Sequence, residues 1–163
     1  MSIQLIGCDE HVPVNVEVRP ANGVIVKFIV EYERMTRQDI RDHTKRSYER
    51  QKEIVDLSTK LQKSLEYEAT LKITTDEDEI AELNEKLEEM GTSESIKDGI
   101  TVINQEADED LKARIKGWKG LKGADKKTIK FSKEALDAMM DSQIYFEALD
   151  NGQWQATGGL IKN

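Results

Sequence analysis

The chain has 163 residues, of which 37% are hydrophobic and 34% charged, and its formal net charge is −8. This length is that of one ordinary domain, and the high charged share favours solvated amphipathic helices around a modest core over a compact enzyme with a deep pocket. An acidic chain without a strong basic stripe is a poor nucleic-acid binder, because phosphate neutralisation needs clustered Lys and Arg. We therefore expect no nucleic-acid partner.

The excess negative charge lies in one central block. Residues 1–72 carry 12 basic and 12 acidic side chains, residues 73–110 carry 2 and 14, and residues 111–163 carry 10 and 6. Such a block is typical of solvated helices. It also motivates an alternative function, that of an acidic helical adaptor or a DNA-mimicking inhibitor protein.

Neither a secretion signal nor a membrane span is expected. The first ten residues lack a basic leader followed by an apolar run, and no segment is apolar over the roughly 20 residues that cross a bilayer. The single cysteine, Cys8, excludes an intrachain disulfide, which fits a reducing compartment. We therefore expect a cytoplasmic protein with no membrane partner.

Residues 1–35 are predicted to form an N-terminal β-hairpin segment. Valines at positions 12, 14, 16 and 18 alternate with a period of two, as in a half-buried strand. Asn22-Gly23 is a strong turn signal because both residues tolerate positive φ, and β-branched and aromatic residues from Val24 to Tyr32 then predict a second strand. A lone hairpin is marginal in water, so we expect it to pack on a helix or to join another sheet.

A charged helical hairpin is predicted over residues 36–91. Thr36 is a candidate helix cap, and no Gly or Pro follows it before Gly91. Two apolar stripes at helical spacing lie on either side of an acidic, threonine-capped segment from Thr74 to Glu79. This pattern indicates an antiparallel helix pair, and one long kinked helix is the competing interpretation. The candidate partner-binding residues are the members of these stripes: Ile54, Leu57, Leu61, Leu65, Ile80, Leu83 and Leu87.

Residues 92–163 are predicted to form a C-terminal helical segment with a flexible tail. A transition from Thr92 to Asn104 precedes a helix from Glu106 to Lys119, which is acidic at its start and basic at its end. A glycine-rich loop around Trp118 follows, then a helix from Lys133 to about Asp150, then a loosely ordered end from Asn151 to Asn163. The predicted fold is α+β but mainly α, within one domain overall: a β-hairpin followed by about four helices, the central pair forming a helical hairpin.

The sequence holds no catalytic, metal or cofactor motif. His11 and His43 lie outside any HExxH or CxxC spacing, and both are expected at the surface. The glycines at 117, 120 and 123 do not form a GxxxxGK[ST] phosphate loop, and the acids from Asp76 to Glu79 lack the alternating oxygens of an EF-hand. We expect no enzymatic activity and no cofactor, with an enzyme of unrecognised site as a minor alternative.

Three short runs in the last third of the chain stand in a recognisable order: Arg114-Ile115-Lys116-Gly117-Trp118-Lys119-Gly120-Leu121, then Ile129-Lys130-Phe131-Ser132-Lys133-Glu134-Ala135-Leu136, then Ile144-Tyr145-Phe146-Glu147-Ala148-Leu149, before a closing Lys162-Asn163. This order resembles the tail assembly chaperones of long-tailed bacteriophages and prophages. The resemblance covers residues 110–163, and the acidic block before them does not match it.

The resemblance implies a protein that binds the tape measure protein, keeps it soluble and helps to recruit tail-tube subunits during tail morphogenesis. It further implies a homo-oligomer that acts in the host cytoplasm and is absent from the mature virion. Four residues of the matching runs are expected to have structural roles. Trp118, set beside Gly117, would seal one helix against the next, Ser132 would cap the following helix, and Phe131 would pack just before that cap.

Overall fold

The computed structural model describes residues 10–21 and 23–158. The predicted α+β, mainly helical fold is confirmed, and the helices number four when α2 and α3, which only Gly91 and Thr92 separate, are counted as one. In chain order the elements are β1 (His11–Val18), β2 (Val26–Glu33), α1 (Arg37–Leu71), α2 (Glu77–Met90), α3 (Ser93–Arg114), β3 (Ile115–Lys119), α4 (Lys133–Met140) and α5 (Gln143–Gly158).

The predicted N-terminal hairpin is confirmed. Strands β1 and β2 pair antiparallel in a register that places Val14 opposite Val30. Alternate side chains of β1 are buried, at Val14, Val16 and Val18, as the period-two pattern requires. In the connecting turn Gly23 has a φ of +77° and donates its amide to Pro20 O, whereas Asn22 lies outside the described residues.

The hairpin gains a third strand that the sequence analysis did not predict. Strand β3 pairs antiparallel with β2, so the sheet order is β1-β2-β3. The predicted helix from Glu106 to Lys119 is therefore wrong, because α3 begins at Ser93 and ends at Arg114. The remaining five residues pair with the free edge of β2, which satisfies backbone groups that a helix end would leave exposed.

The chain divides into two compact units, and the first comprises the residues up to Ile40 together with those from Asp108 onward. Here α5 packs across β1 and β2, and the core lies between the sheet and the C-terminal helices. The most buried large side chains in this core are Tyr32, Leu149, Val18 and Val30. The three predicted segments follow the order of the chain, whereas this unit joins residues from its two ends.

Two predictions for the C-terminal part are wrong. The single helix from Lys133 to Asp150 is interrupted at Asp141 and Ser142, where the backbone tightens and Ser142 N donates to Met139 O at 3.1 Å. The predicted loose end is helical as far as Gly158, because Gln153, Ala156 and Thr157 are buried. Residues 159–163 lie outside the described part of the chain.

The second unit comprises residues 41–107. It contains most of α1, all of α2 and most of α3. The chain runs out along the long α1 and comes back along the two shorter helices α2 and α3, which together we name the return path. Asp76 caps α2 by accepting hydrogen bonds from Asp78 N at 3.0 Å and Glu79 N at 3.2 Å. Within the described ranges, no helix is both long and apolar enough to cross a membrane.

Candidate functional site

One face of α1 forms a continuous line of reduced exposure, which we name the α1 seam. Its members recur with strictly alternating spacings of four and three residues, and each is half-buried or buried, whereas most other α1 residues are exposed. This is the heptad spacing of helices that pack side by side. The seam residues are His43, Ser47, Arg50, Ile54, Leu57, Leu61, Ser64 and Glu68.

Contacts along the seam run antiparallel to the return path. Near one end Ser64 Oγ donates a hydrogen bond of 3.1 Å to the carbonyl oxygen of Gly91. Farther along, an added Cβ at Gly99 would lie 3.6 Å from Leu57 Cδ1, and Arg50 Nε lies 3.8 Å from Glu106 Oε2. In these contacts the residue numbers fall along α1 from 64 to 50 while those of their partners rise from 91 to 106. Helix α1 therefore pairs antiparallel with α2 and α3.

Glu68 fixes the junction between α2 and α3. Its carboxylate accepts hydrogen bonds of 2.7 Å from both the backbone amide and the hydroxyl of Ser93, the first residue of α3. These bonds, the backbone one first, hold the pKa of the Glu68 carboxyl below its usual value. A carboxylate here also faces the positive end of the α3 dipole. No local sequence signal marks this partnership, because the two residues are 25 positions apart.

The structure distributes the seven predicted partner-binding residues over three environments. Leu83 and Leu87 of α2 are buried, at 7% and 9% exposure, whereas Ile54, Leu57, Leu61 and Ile80 are half-buried. Leu65 is 45% exposed and is not a member of the seam. In that turn of α1 the seam residue is Ser64, which is fully buried. Six of the seven are therefore partly or largely covered within the second unit, and the partner-binding role of all seven stays a prediction.

The expectation that both histidines lie at the surface is half wrong. His11 is exposed on β1, but His43, the first residue of the α1 seam, is only 7% exposed. In the sequence His43 lies in a charged run, and no local signal marks it as buried. No group of three or more His, Cys, Asp or Glu residues in the described part of the chain is arranged to hold a metal ion.

The outer face of α2 carries a row of carboxylates. Asp78, Glu82, Glu85 and Glu89 are all exposed, and their spacing places them on the side opposite Leu83 and Leu87. Lys86 pairs with Glu82 and also stands 5.6 Å from the centroid of the Tyr67 ring. The acidic block of the sequence is thus a solvated helix face with a packed apolar face behind it.

The four residues expected to be structural meet at one corner of the first unit. Trp118 is 7% exposed, its indole Nε1 donates a 2.8 Å hydrogen bond to Ile129 O, and its ring meets Phe131 edge-on at 4.7 Å. Ser132 caps α4 by accepting a 3.1 Å bond from Ala135 N. The predicted loop around Trp118 is wrong, since Gly117 and Trp118 both lie in β3, where Gly117 pairs with Glu31 beside an irregularity in the register.

A buried polar network links β2, α3 and α5. The Tyr32 hydroxyl donates a 2.7 Å hydrogen bond to Leu149 O, and Arg114 Nη1 donates one of 2.7 Å to Gln153 Oε1. Burial raises the pKa of the Tyr32 phenol far above its usual value and lowers that of the Arg114 guanidinium. The two hydrogen bonds tie α5 to β2 and to the end of α3, so the network fixes the packing of α5.

Two grooves mark the surface of the first unit. One, of about 600 Å³, lies along the outer edge of β1 beside α5 and is mostly polar, with Asn15, Glu17 and Trp154 among its lining. The other, of about 290 Å³, lies between the end of α3 and the start of α4 and is mostly apolar, with Ile115, Phe131 and Leu136 in its wall. Comparison with protein-family models, curated proteins and solved structures finds no match to this chain.

Proposed function

We propose that this protein is a bacteriophage tail assembly chaperone that binds the helices of a tape measure protein, keeps them soluble and helps to recruit tail-tube subunits. The observation that carries the proposal is the α1 seam. Its apolar members Ile54, Leu57 and Leu61 are only partly covered even though α1 is already paired. Long apolar partner helices require such a surface.

The charges around the seam support the same function. Residues 73–110 carry a net charge of −12, and the carboxylates of α2 face solvent. A complex that covers apolar partner helices with this protein would present these charges outward, and like charge on the complexes opposes their aggregation. The motif runs that resemble the chaperone family supply the packed corner around Trp118 and Phe131.

Co-expression with a candidate tape measure protein tests the proposal. We expect the partner to become soluble and to elute with this protein as a large complex. Leu57→Asp combined with Leu61→Asp should abolish the rescue, because two charges then occupy the seam. Val55→Asp is the matched control, since Val55 is 58% exposed and off the seam, and it should leave the rescue intact. A partner that stays insoluble with the parent protein contradicts the proposal.

Leu65→Asp separates partner binding from stability. Leu65 belongs to the predicted partner-binding set, and at 45% exposure it can be replaced with little effect on the free energy of unfolding. Loss of rescue with an unchanged thermal midpoint would place Leu65 in the partner-binding surface.

The second candidate function is an acidic helical adaptor or DNA-mimicking inhibitor, which the carboxylate row on α2 favours. The row is backed by buried leucines, so it uses one helix face only. Salt-sensitive competition with DNA for a nuclease or polymerase, weakened by Glu85→Gln with Glu89→Gln, would support this function over the chaperone.

A further inference from the structure

The turn between α1 and α2 presents an isolated apolar side chain among acids. Ile73 is 82% exposed, and the turn is held by backbone hydrogen bonds, including Ile73 N to Thr70 O at 3.0 Å. Four acidic residues, 76 to 79, follow without a basic one. We name residues 73–79 the acidic turn. Because its own bonds fix the turn, Ile73 would lose little conformational freedom on binding.

The apolar groove of the first unit has a complementary character. Its wall contains Phe131, itself 39% exposed. Of the charged residues at its rim, Lys112 pairs with Glu109 at 3.1 Å and Asp137 at 2.7 Å. Those two carboxylates are therefore already paired. Lys133 also lines the groove, and its positive charge acts on the carboxylates of Asp137 and Glu134.

A lysine-rich hairpin adjoins this groove. Ile129 N donates to Leu121 O and Gly123 N to Lys127 O, both at 2.9 Å, so residues 121–129 fold back on themselves. With Lys130 this segment carries four lysines against one acid, Asp125, and the residues from 124 to 130 are all exposed. We name residues 121–130 the lysine hairpin. Lys127 pairs with Asp125 at 3.3 Å, so three of the four lysines remain to give the hairpin its positive charge. Lys130 immediately precedes Phe131 of the groove wall, so this charge begins beside the groove.

We propose that the acidic turn of one copy docks in the groove of a second copy, with Ile73 in the groove and the carboxylates of Glu77 and Asp78 facing Lys130 and Lys133. The two surfaces are complementary in shape and in charge. The acidic turn offers a protruding apolar side chain beside carboxylates, and the second copy offers an apolar groove beside lysines. A nucleic acid would satisfy the lysines but not the apolar groove, and the net charge of −8 would repel it. The inference does not rest on the proposed function.

Such a contact joins two different surfaces, so it is head-to-tail. After one such contact a turn on one copy and a groove on the other stay free, so further copies can add and the assembly can grow into a ring or a chain. Its electrostatic part is exposed to solvent and weakens as salt rises.

Sedimentation of the purified full chain over a range of concentrations and salt tests the contact. We expect an average mass above the 18.6 kDa monomer, which grows with concentration and falls with added salt. Ile73→Asp should weaken association about tenfold or more. Val55→Asp introduces the same change at another exposed aliphatic residue and should leave association unchanged. A parent chain that stays monomeric throughout, or equal effects of the two variants, overturns the proposal.

Charge reversal then tests which surfaces meet. Lys130→Glu with Lys133→Glu should abolish association, and so should Glu77→Lys with Asp78→Lys, while thermal midpoints confirm that both double variants fold. Mixing the two should restore assembly, because each reversed surface then meets its reversed partner. Folded variants that form no complex on mixing exclude this pairing. The test uses the protein alone, so its outcome is independent of whether a tape measure protein binds.

Discussion

Replacing Gly152 by alanine tests how α5 packs on the sheet. In a helix this change normally stabilises by about 1 kcal/mol, because glycine loses more backbone entropy on folding. At this site an added Cβ would fall inside the van der Waals contact of the Tyr32 hydroxyl oxygen, 3.1 Å from Tyr32 Cζ and 3.2 Å from Val16 Cγ2. Tyr32 is fully buried and hydrogen-bonded to Leu149 O, so it has nowhere to move.

Overpacking of this kind costs about 1–3 kcal/mol, which cancels or outweighs the gain in helix propensity. We expect Gly152→Ala to destabilise the protein by up to about 2 kcal/mol, measured by urea unfolding followed by circular dichroism, with a lower thermal midpoint. Gly99→Ala is the matched control, since its nearest neighbour beyond α3, Leu57 Cδ1, would lie at an ordinary 3.6 Å. That variant should gain up to about 1 kcal/mol.

A double-mutant cycle identifies the clash. Tyr32→Phe removes the oxygen nearest the added methyl and costs about 0.5–1.5 kcal/mol through its lost hydrogen bond. In that background Gly152→Ala should be less costly, with a coupling of about 0.5–3 kcal/mol. If Gly152→Ala raises stability as Gly99→Ala does, or if the cycle shows no coupling, then α5 does not pack on Tyr32 as described.

Two further predictions concern the packed corner and the helix junction. Trp118→Ala should lower the free energy of unfolding in urea by about 3–5 kcal/mol, because it empties a buried site and removes the hydrogen bond to Ile129 O. Trp154→Ala is the control and should cost much less, because Trp154 is 40% exposed. Similar losses for the two variants would contradict the assigned burial. The pKa of Glu68 is lowered in the folded protein, so its contribution to stability is present above the unfolded value near 4.5 and is lost as pH falls through the folded value. Glu68→Gln should therefore lower stability at neutral pH and flatten its decline in acid, as urea unfolding at a series of pH values would show; an unchanged acid limb would exclude the Ser93 partnership.

The sequence by itself determined the local elements. The alternating valines fixed the buried face of β1, since side chains of a strand alternate between faces whatever surrounds them. Helical caps were equally local: Thr36 and Asp39 bond each other's backbone amides, and Ser132 caps α4. The apolar spacing of Ile54, Leu57 and Leu61 likewise located the packed face of α1.

Tertiary structure decided what depends on distant partners. The residues from Ile115 to Lys119 are a strand only because β2 offers a free edge, and the same residues in isolation read as the end of a helix. The helix beyond Asp150 forms because Gly152 fits against Tyr32 and Gln153 meets Arg114, contacts that span 120 and 39 positions in the chain. The seam passes through Ser64 rather than Leu65 because the small hydroxyl reaches the Gly91 carbonyl, and apolar spacing carries no information about that partner.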